Sequence, residues 1–357
     1  GTATGDDVVE LHLHGGRAVV ASVLAALGKM DGLRIAEAGE FTRRAFANGR
    51  IDLTQAEGLA DLLAAETEAQ RRQAIRLAEG GLGRIIAEWR ERLLGLAARI
   101  EAAIEFGDEG DDVPLFAAAE LAPIGDLAGA MTAALEGPPT ERLRDGVRIV
   151  VAGPVNAGKS SLINYLCERD VAITSSIPGT TRDLIEAPLA IAGMPCLLID
   201  SAGLRASADQ IEQIGVARAK GAIEAADLLL WLGPPDQCPD PTRAIVVAAK
   251  CDIEKPPVGV DVATSTVTGE GVEILREWLK NRVAALLPLA DSVALNARQR
   301  EHIRHAAREL GEAAALVDPL LVAEHLRLAR LSLDRVTGHA NVEDMLDSLF
   351  GRFCIGK

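Results

Sequence analysis

Aromatic side chains are scarce in this chain, 3% of 357 residues, so Leu, Ile, Val and Ala must fill whatever cores it builds. Its five cysteines lie far apart with no C-x-x-C pair, which argues against a disulfide framework and against a cysteine zinc site. No apolar run is long enough to span a bilayer and no signal peptide is read, so no membrane partner is expected and the compartment is read as cytoplasmic. Positive charge is also short: 37 Lys and Arg face 52 Asp and Glu, a net charge of −15. That excludes a broadly basic nucleic-acid surface, but not an RNA gripped locally or with a partner. Internal repeats and low-complexity tracts are missing. What is present, 48% hydrophobic residues over this length, suffices for two or three domains.

The most informative stretch is Gly153-Pro154-Val155-Asn156-Ala157-Gly158-Lys159-Ser160, between Val147-Arg148-Ile149-Val150-Val151 and Ser161-Leu162-Ile163-Asn164. It fits G-x-x-x-x-G-K-[ST] with an apolar strand before it and a helix start after it, the context this motif requires. Glycines let the backbone curl so that its N–H groups face phosphate oxygens, and the helix N-terminus adds partial positive charge. Lys159 is placed for the β- and γ-phosphates and Ser160 for Mg²⁺. This is a nucleoside-triphosphate site.

Four further segments choose the nucleotide. Gly179-Thr180-Thr181-Arg182-Asp183 follows about one helix and one loop later, with Thr181 placed to give Mg²⁺ a second oxygen. Asp200-Ser201-Ala202-Gly203 ends the apolar run Cys196-Leu197-Leu198-Ile199, so Asp200 can hold the metal shell and the Gly203 N–H can meet the γ-phosphate. Lys250-Cys251-Asp252 follows Ala244-Ile245-Val246-Val247-Ala248, and the Asp252 carboxylate can accept from guanine N1–H and its 2-amino group. Ser265-Thr266-Val267, after Val260-Asp261-Val262-Ala263, is placed to touch the base from the other side. Each segment alone is weak; in this order they specify GTP. Two departures matter. Ala249 fills the place where the guanine motif usually opens with Asn, a missing hydrogen bond worth about 0.5–1.5 kcal/mol. Leu204 follows Gly203 where small signalling GTPases carry a water-orienting Gln, and leucine cannot hold water. Arg182 and Arg205 are candidate finger arginines and equally candidate solvated loop residues.

The remaining chain reads as mixed, then helical. Val8-Val9-Glu10-Leu11-His12-Leu13-His14 alternates as a strand does, and Gly15-Gly16 opens a helical Ala/Val/Leu run. His12 and His14 could be two metal ligands on one strand face, and without further ligands they are read as structural. Thr54-Gln55-Ala56-Glu57 reads as a capping box. Leu82, Ile85, Ile86, Trp89, Leu93, Leu96, Ile100 and Ile104 recur at helical spacing on a bundle-type helix. An acidic break from Asp108 to Asp112, with Pro114, precedes another helix; Gly137-Pro138-Pro139 marks a boundary, and after Pro288 the pattern is helical again from Asn296 to Leu349. The fold class expected is therefore α/β plus all-α: a P-loop GTPase domain, mainly parallel sheet, inserted in a helical bundle domain. Cys354 near the terminus reads equally as a small buried apolar side chain or as a reactive thiol on a mobile tail.

The chain resembles the MnmE (TrmE) family of tRNA modification GTPases over almost its whole length. The residues that carry the likeness are Gly39-Glu40-Phe41-Thr42-Arg43-Arg44-Ala45-Phe46, Asn48-Gly49-Arg50-Ile51-Asp52-Leu53, the Asn-containing P-loop, Gly179-Thr180-Thr181-Arg182-Asp183 and the terminal Phe353-Cys354-Ile355-Gly356-Lys357. The resemblance implies an N-terminal α+β tetrahydrofolate-binding and dimerisation domain, here a remnant over 1–48 that opens at Gly1 on the family domain's interior. It implies a helical domain in two parts, 49–143 and 288–357, around a GTPase domain at 144–287.

The resemblance further implies the site residues. The GTP-binding set is Asn156, Ala157, Gly158, Lys159, Ser160, Ser161, Ser175, Ser176, Ile177, Pro178, Gly179, Thr180, Thr181, Asp200, Ser201, Ala202, Gly203, Lys250 and Asp252. Ser160 and Thr181 hold Mg²⁺; Asn156, the carbonyls of Ser175 and Ile177, and Thr180 match a K⁺ site that takes the place of an arginine finger. Glu212 matches a catalytic glutamate that orients the attacking water, Cys354 a cysteine of the modification chemistry, and Glu10, Arg50 and Lys357 contacts to a 5-formyl or 5,10-methylene tetrahydrofolate. The expected activity is a K⁺-dependent, dimerisation-activated GTPase. With the flavoprotein MnmG it adds a carboxymethylaminomethyl or aminomethyl group to C5 of the wobble uridine of tRNA. The alternatives are a ribosome-assembly GTPase and a nucleotide-gated scaffold without modification activity.

Overall fold

A computed structural model describes residues 1–106, 118–169, 186–201, 220–288, 293–339, 349–351 and 353. The chain divides into two compact units: Gly1–Ala64 with Ala74–Glu136 and Arg298–Lys357, and Ala65–Gln73 with Gly137–Ala297.

In the first unit the described elements are helices, among them α1 (Arg17–Leu27), α2 (Glu40–Ala47), α3 (Leu53–Ala64), the second half of α4 (Glu68–Ala78), α5 (Gly81–Phe106) and α6 (Ala118–Ala134). The heptad-like apolar row predicted on α5 is the bundle seam: Leu82, Ile86, Trp89, Leu93, Leu96 and Ile100 are all buried. The start of α3 differs from expectation. The cap is Asp52, not Thr54: the Asp52 carboxylate accepts from the Gln55 N–H at 2.9 Å, and Gln55 Oε1 accepts from the Asp52 N–H at 3.0 Å. The reciprocal box therefore sits two residues earlier, because Asp caps a helix at least as well as Thr and Gln55 is spaced to reach back. Glu57, freed from that role, takes a fork of hydrogen bonds from Arg298 at 3.0 and 2.9 Å and one from Gln299 at 2.7 Å.

Gly39 explains why the stretch before α2 opens on glycine. Its φ is +69°, and a Cβ there would stand 2.4 Å from the carbonyl oxygen of Phe350. Phe350 and Phe353 in turn pack with Leu53, Ala56, Phe46 and Ile51, so the end of the chain closes a small core over α2 and α3. The strand predicted over Val8–His14 does not form. Among the described residues nothing pairs with that segment, and Val8, Val9, Leu11 and Leu13 are exposed. A strand whose N–H and C=O groups lack a ladder partner has no advantage over solvated backbone.

The second unit is a doubly covered sheet. Its strands are β1 (Val147–Ala152), β2 (Glu186–Ile191), β3 (Met194–Asp200), β4 (Leu228–Trp231), β5 (Ala244–Ala248) and β6 (Val262–Ala263), in the order β2-β3-β1-β4-β5-β6. All pairings are parallel except β2 with β3. Alternate β1 residues enter different cores: Ile149 and Val151 meet Leu162 and Leu166 of α8 (Lys159–Arg169) and Leu275 and Leu279 of α9 (Val272–Leu286), while Val150 meets Ile199 and Leu229. This two-sided burial is why β1 reads as a continuous apolar run. A short helix, α7 (Glu141–Asp145), leads into β1. Helices α10 (Ala297–Ala313) and α11 (Pro319–Thr337) follow; the first residue of α10 is counted with the sheet and the rest with the helical unit. No described helix is long and apolar enough to cross a membrane. The acidic break over 108–112 lies outside the described residues.

Candidate functional site: the nucleotide cavity

The site forms where β1 hands over to α8, at the carboxyl edge of the parallel strands. Three backbone positions between them are left-handed or close to it: Gly153 at φ +150°, Asn156 at +62° and Gly158 at +92°. Gly153 is obligatory for a second reason, since a Cβ would lie 2.6 Å from the Leu232 carbonyl oxygen at the end of β4. The loop thus bends around a cavity of about 720 Å³ lined by Gly153 and Val155 through Ser161, with Ser201 and Lys250.

Lys159 is buried, and its ammonium donates to the carbonyls of Gly153 at 3.0 Å and Pro154 at 2.6 Å. These bonds hold the side chain back along the loop, where phosphate oxygens entering the cavity would meet its charge. At the start of α8 the Ser160 hydroxyl donates to Asp200 Oδ2 at 2.8 Å, and Asp200 is itself buried. A hydroxyl and a carboxylate oxygen so paired are hard oxygen donors suited to Mg²⁺, one as ligand and one through a bound water. Ser201 is placed by the donation of its N–H to Val151 O at 3.2 Å.

The two loops after β5 and β6, where the base is expected, stand beside the phosphate loop. Lys250, at φ +61°, reaches back to donate to the Asn156 carbonyl at 2.8 Å, so the guanine segment and the phosphate loop are tied directly. The Cys251 N–H donates to Thr264 O at 3.1 Å, and the buried Ser265 hydroxyl accepts from the N–H groups of Val267 and Thr268, each at 3.2 Å. Asp252 is exposed beside this junction and does not line the cavity with the phosphate-loop residues. Ala249 faces Gly158, where a Cβ would come within 3.3 Å of the alanine methyl, so the departure from Asn leaves a small apolar contact under the loop.

Of the sequence-predicted residues, Asn156, Ala157, Gly158, Lys159, Ser160, Ser161, Ser201 and Lys250 line one cavity, with Asp200 bonded to Ser160. Ser175, Ser176, Ile177, Pro178, Gly179, Thr180, Thr181, Ala202, Gly203, Glu212, Cys354 and Lys357 lie outside the described residues. Glu10 is exposed beside His12, at 3.7 Å, and the Arg50 guanidinium lies 3.1 Å from where a Gly1 Cβ would be; the structure does not bring the two into one cavity. Gly153 and Val155 were missed as cavity-lining residues. The first is the opening glycine of the motif; the second, 76% exposed, carries no chemical signal beyond its place in the loop. Also missed was a clamp in the first fifty residues. Glu40 accepts from Arg34 at 2.8 and 2.9 Å, from the Glu37 N–H at 2.9 Å and from Arg44 at 2.9 Å. The Arg34 hydrogen bonds foremost, then the Glu37 N–H and Arg44, hold the Glu40 carboxyl down at about 2.

A glycine-rich loop opening a helix at the edge of a parallel sheet, joined by a lysine to the guanine segment, defines a P-loop GTPase. The family model described as the MnmE helical domain matches residues 53–354, and that described as the GTP-binding protein TrmE N-terminus matches residues 1–50. The chain belongs to the MnmE family and is a GTP hydrolase. A protein of Rhizorhabdus wittichii named tRNA modification GTPase MnmE is 55% identical, over 100% of this chain and 81% of that one. The protein of the same name from Erythrobacter litoralis is 52% identical, over 99% of this chain and 84% of that one. Among solved structures, the G domain of the T. maritima FeoB iron transporter is 28% identical over 38% of this chain and 98% of that chain, with a TM-score of 0.29.

Proposed function

We propose that this GTPase acts in tRNA modification, as the names of its relatives indicate, and that its turnover depends on K⁺ and on pairing of two GTPase domains. The observation that carries the K⁺ reading is the position of Asn156. It lines the same cavity as Lys159 and Ser160, its backbone is left-handed at +62°, and its carbonyl is held by Lys250. That places an amide side chain on the phosphate loop with its backbone pinned, where an oxygen could join a monovalent-cation cage completed by Ser175, Ile177 and Thr180. The cation supplies positive charge where an arginine finger would otherwise act. Glu212 orients the attacking water, a task Leu204 cannot perform, and Ser160 and Thr181 hold Mg²⁺.

In this reading a homodimer works in the cytoplasm with the flavoprotein MnmG on C5 of the wobble uridine. A tetrahydrofolate one-carbon unit is held by Glu10, Arg50 and Lys357, and Cys354 joins the modification chemistry. Residues 144–287 form the GTPase domain, between helical segments 49–143 and 288–357, with 1–48 as the folate-binding part. The test has two arms. GTP hydrolysis is measured in K⁺ and in Na⁺ at equal ionic strength for the unmodified chain and Asn156→Ala. A large K⁺ advantage that the variant loses is expected; equal rates in the two salts for the unmodified chain overturn the cation reading. Wobble uridine is then analysed by mass in tRNA from a deletion strain carrying this gene. Unmodified uridine with intact GTPase activity would favour ribosome assembly or a scaffold instead.

A further inference from the structure

We propose that Glu309, Glu312 and His325 form a binding site for one zinc-class divalent ion that staples α10 to α11 in the helical unit. The three residues come from both helices, and their donor atoms all lie within 4.8 Å of one another. His325 Nδ1 stands 2.9 Å from Glu309 Oε2 and 3.8 Å from Glu312 Oε2. Tetrahedral donors bound at about 2.0–2.2 Å sit roughly 3.3–3.6 Å apart, so the pairs bracket the spacing such an ion needs. In the metal-free protein the short contact holds a proton between imidazole and carboxylate, and the ion replaces that proton.

Two further features point to a cation. Glu309 is nearly buried, its side chain 7% exposed, while Glu312 and His325 are more open, at 55% and 24%. The site is therefore anchored in the helix interface and reachable from solvent. Arg308 donates to Glu309 at 3.0 Å and lies 3.9 Å from Glu312, so one guanidinium faces two carboxylates.

The second feature is the orientation of His305, one turn before Glu309. Ser332 donates its hydroxyl proton to Leu328 O at 3.0 Å, so at 3.1 Å its oxygen accepts from His305 Nδ1–H. His305 Nε2 then stands 3.6 Å from Glu309 Oε1, so a second imidazole nitrogen is directed at the same carboxylate. Imidazole and carboxylate donors together select zinc, cobalt or nickel over magnesium.

The full chain, stripped with chelator and saturated with Mg²⁺ and GDP to occupy the nucleotide cavity, is titrated with Zn²⁺ by calorimetry and with Co²⁺ by visible absorption. One equivalent of Zn²⁺ is expected, with affinity falling at least about tenfold in Glu312→Gln and in His325→Gln. Both positions are partly exposed, so the variants keep their fold, and their GTPase rates serve as the check on integrity. The Co²⁺ complex should lack a thiolate charge-transfer band. Zn²⁺ binding of equal strength in both variants, a thiolate band, or no stoichiometric uptake at micromolar Zn²⁺ would each overturn the site.

Discussion

Two apolar stretches of this chain meet opposite fates. Val147–Ala152 becomes β1 and is buried on both faces; Val8–His14 alternates more cleanly, yet forms no strand and leaves Val8, Val9, Leu11 and Leu13 exposed. Helix α1 repeats the pattern, with no buried residue along Arg17–Leu27 although Val19, Val20 and Leu24 are apolar. The difference is neighbours. β1 pairs with β3 on one side and β4 on the other, so its backbone groups are satisfied and its side chains have two cores to enter. A hydrophobic pattern states what a segment would bury, and only partners decide whether it does.

If the phosphate loop is the organised half of this comparison, its lysine should matter most. Lys159→Ala removes a buried ammonium held by two carbonyls and aimed at the cavity. We expect GTP affinity to fall on the order of a thousandfold, about 4 kcal/mol, in calorimetry. Tight binding by the variant would break the assignment of the cavity.

The helical unit offers a second strong test. Glu57 and Arg298 are 13% and 18% exposed, and truncating the arginine leaves the carboxylate with Gln299 alone. Arg298→Ala should cost about 3 kcal/mol in chemical denaturation. The exposed pair of Arg71 with Glu68 should lose far less when Arg71 is truncated, because solvent screens it and Arg72 still bonds Glu68. Similar losses at both sites would mean that burial does not set the value of these pairs.

Glycines sharpen the contrast at smaller scale. Gly39 and Gly49 are both left-handed, at +69° and +63°, but only Gly39 has a backbone carbonyl pressed against it. Gly49→Ala should cost roughly 1 kcal/mol of backbone strain, and Gly39→Ala about 2 kcal/mol because Phe350 must move as well. Thermal denaturation that ranks them in reverse would remove the end of the chain from its place over α2.

How much of this was legible beforehand follows the same logic. The phosphate loop, β1, β3, β5 and the seam of α5 could be read because their signals are local: glycines at fixed offsets, a lysine, a period of 3.6. Strands β2 and β4 were not foreseen. β2 is an antiparallel edge strand carrying Pro188, and β4 has only four residues, Leu228–Trp231, too few to establish a period. The Asp52 cap was displaced by the more familiar Thr-x-x-Glu spacing. Glu40 and its two arginines looked like ordinary surface charge, since nothing in the order of residues shows that Arg34 folds back six positions.

That clamp gives a pH test within the otherwise exposed N-terminal part. The Glu40 carboxyl is depressed from 4.5 to about 2, so its contribution is fully present above about 4.5 and is lost as pH falls through 2. In a carbon-13 titration the Glu40 carboxyl should remain ionised at pH 3, and Arg34→Gln should move its midpoint upward. A midpoint near 4.5 in the unmodified chain would mean that the clamp does not persist in solution.

The smallest expected effect bears most directly on the opening contrast. Leu24 is 53% exposed on α1, and Leu24→Ser removes apolar surface that touches little. At protein concentrations where the chain is monomeric, stability should change by no more than about 0.5 kcal/mol. A loss above roughly 1 kcal/mol there would show that the face is packed within one chain, against the arrangement described. Repeating the measurement at high concentration separates a further case. If a second copy covers this face, as the proposed homodimer allows, the unmodified chain gains stability with concentration by mass action and the variant gains less. A difference that grows with concentration would move the exposed apolar residues from solvent to an interface, and one that stays flat would leave α1 as the part of the molecule whose hydrophobic pattern finds no partner.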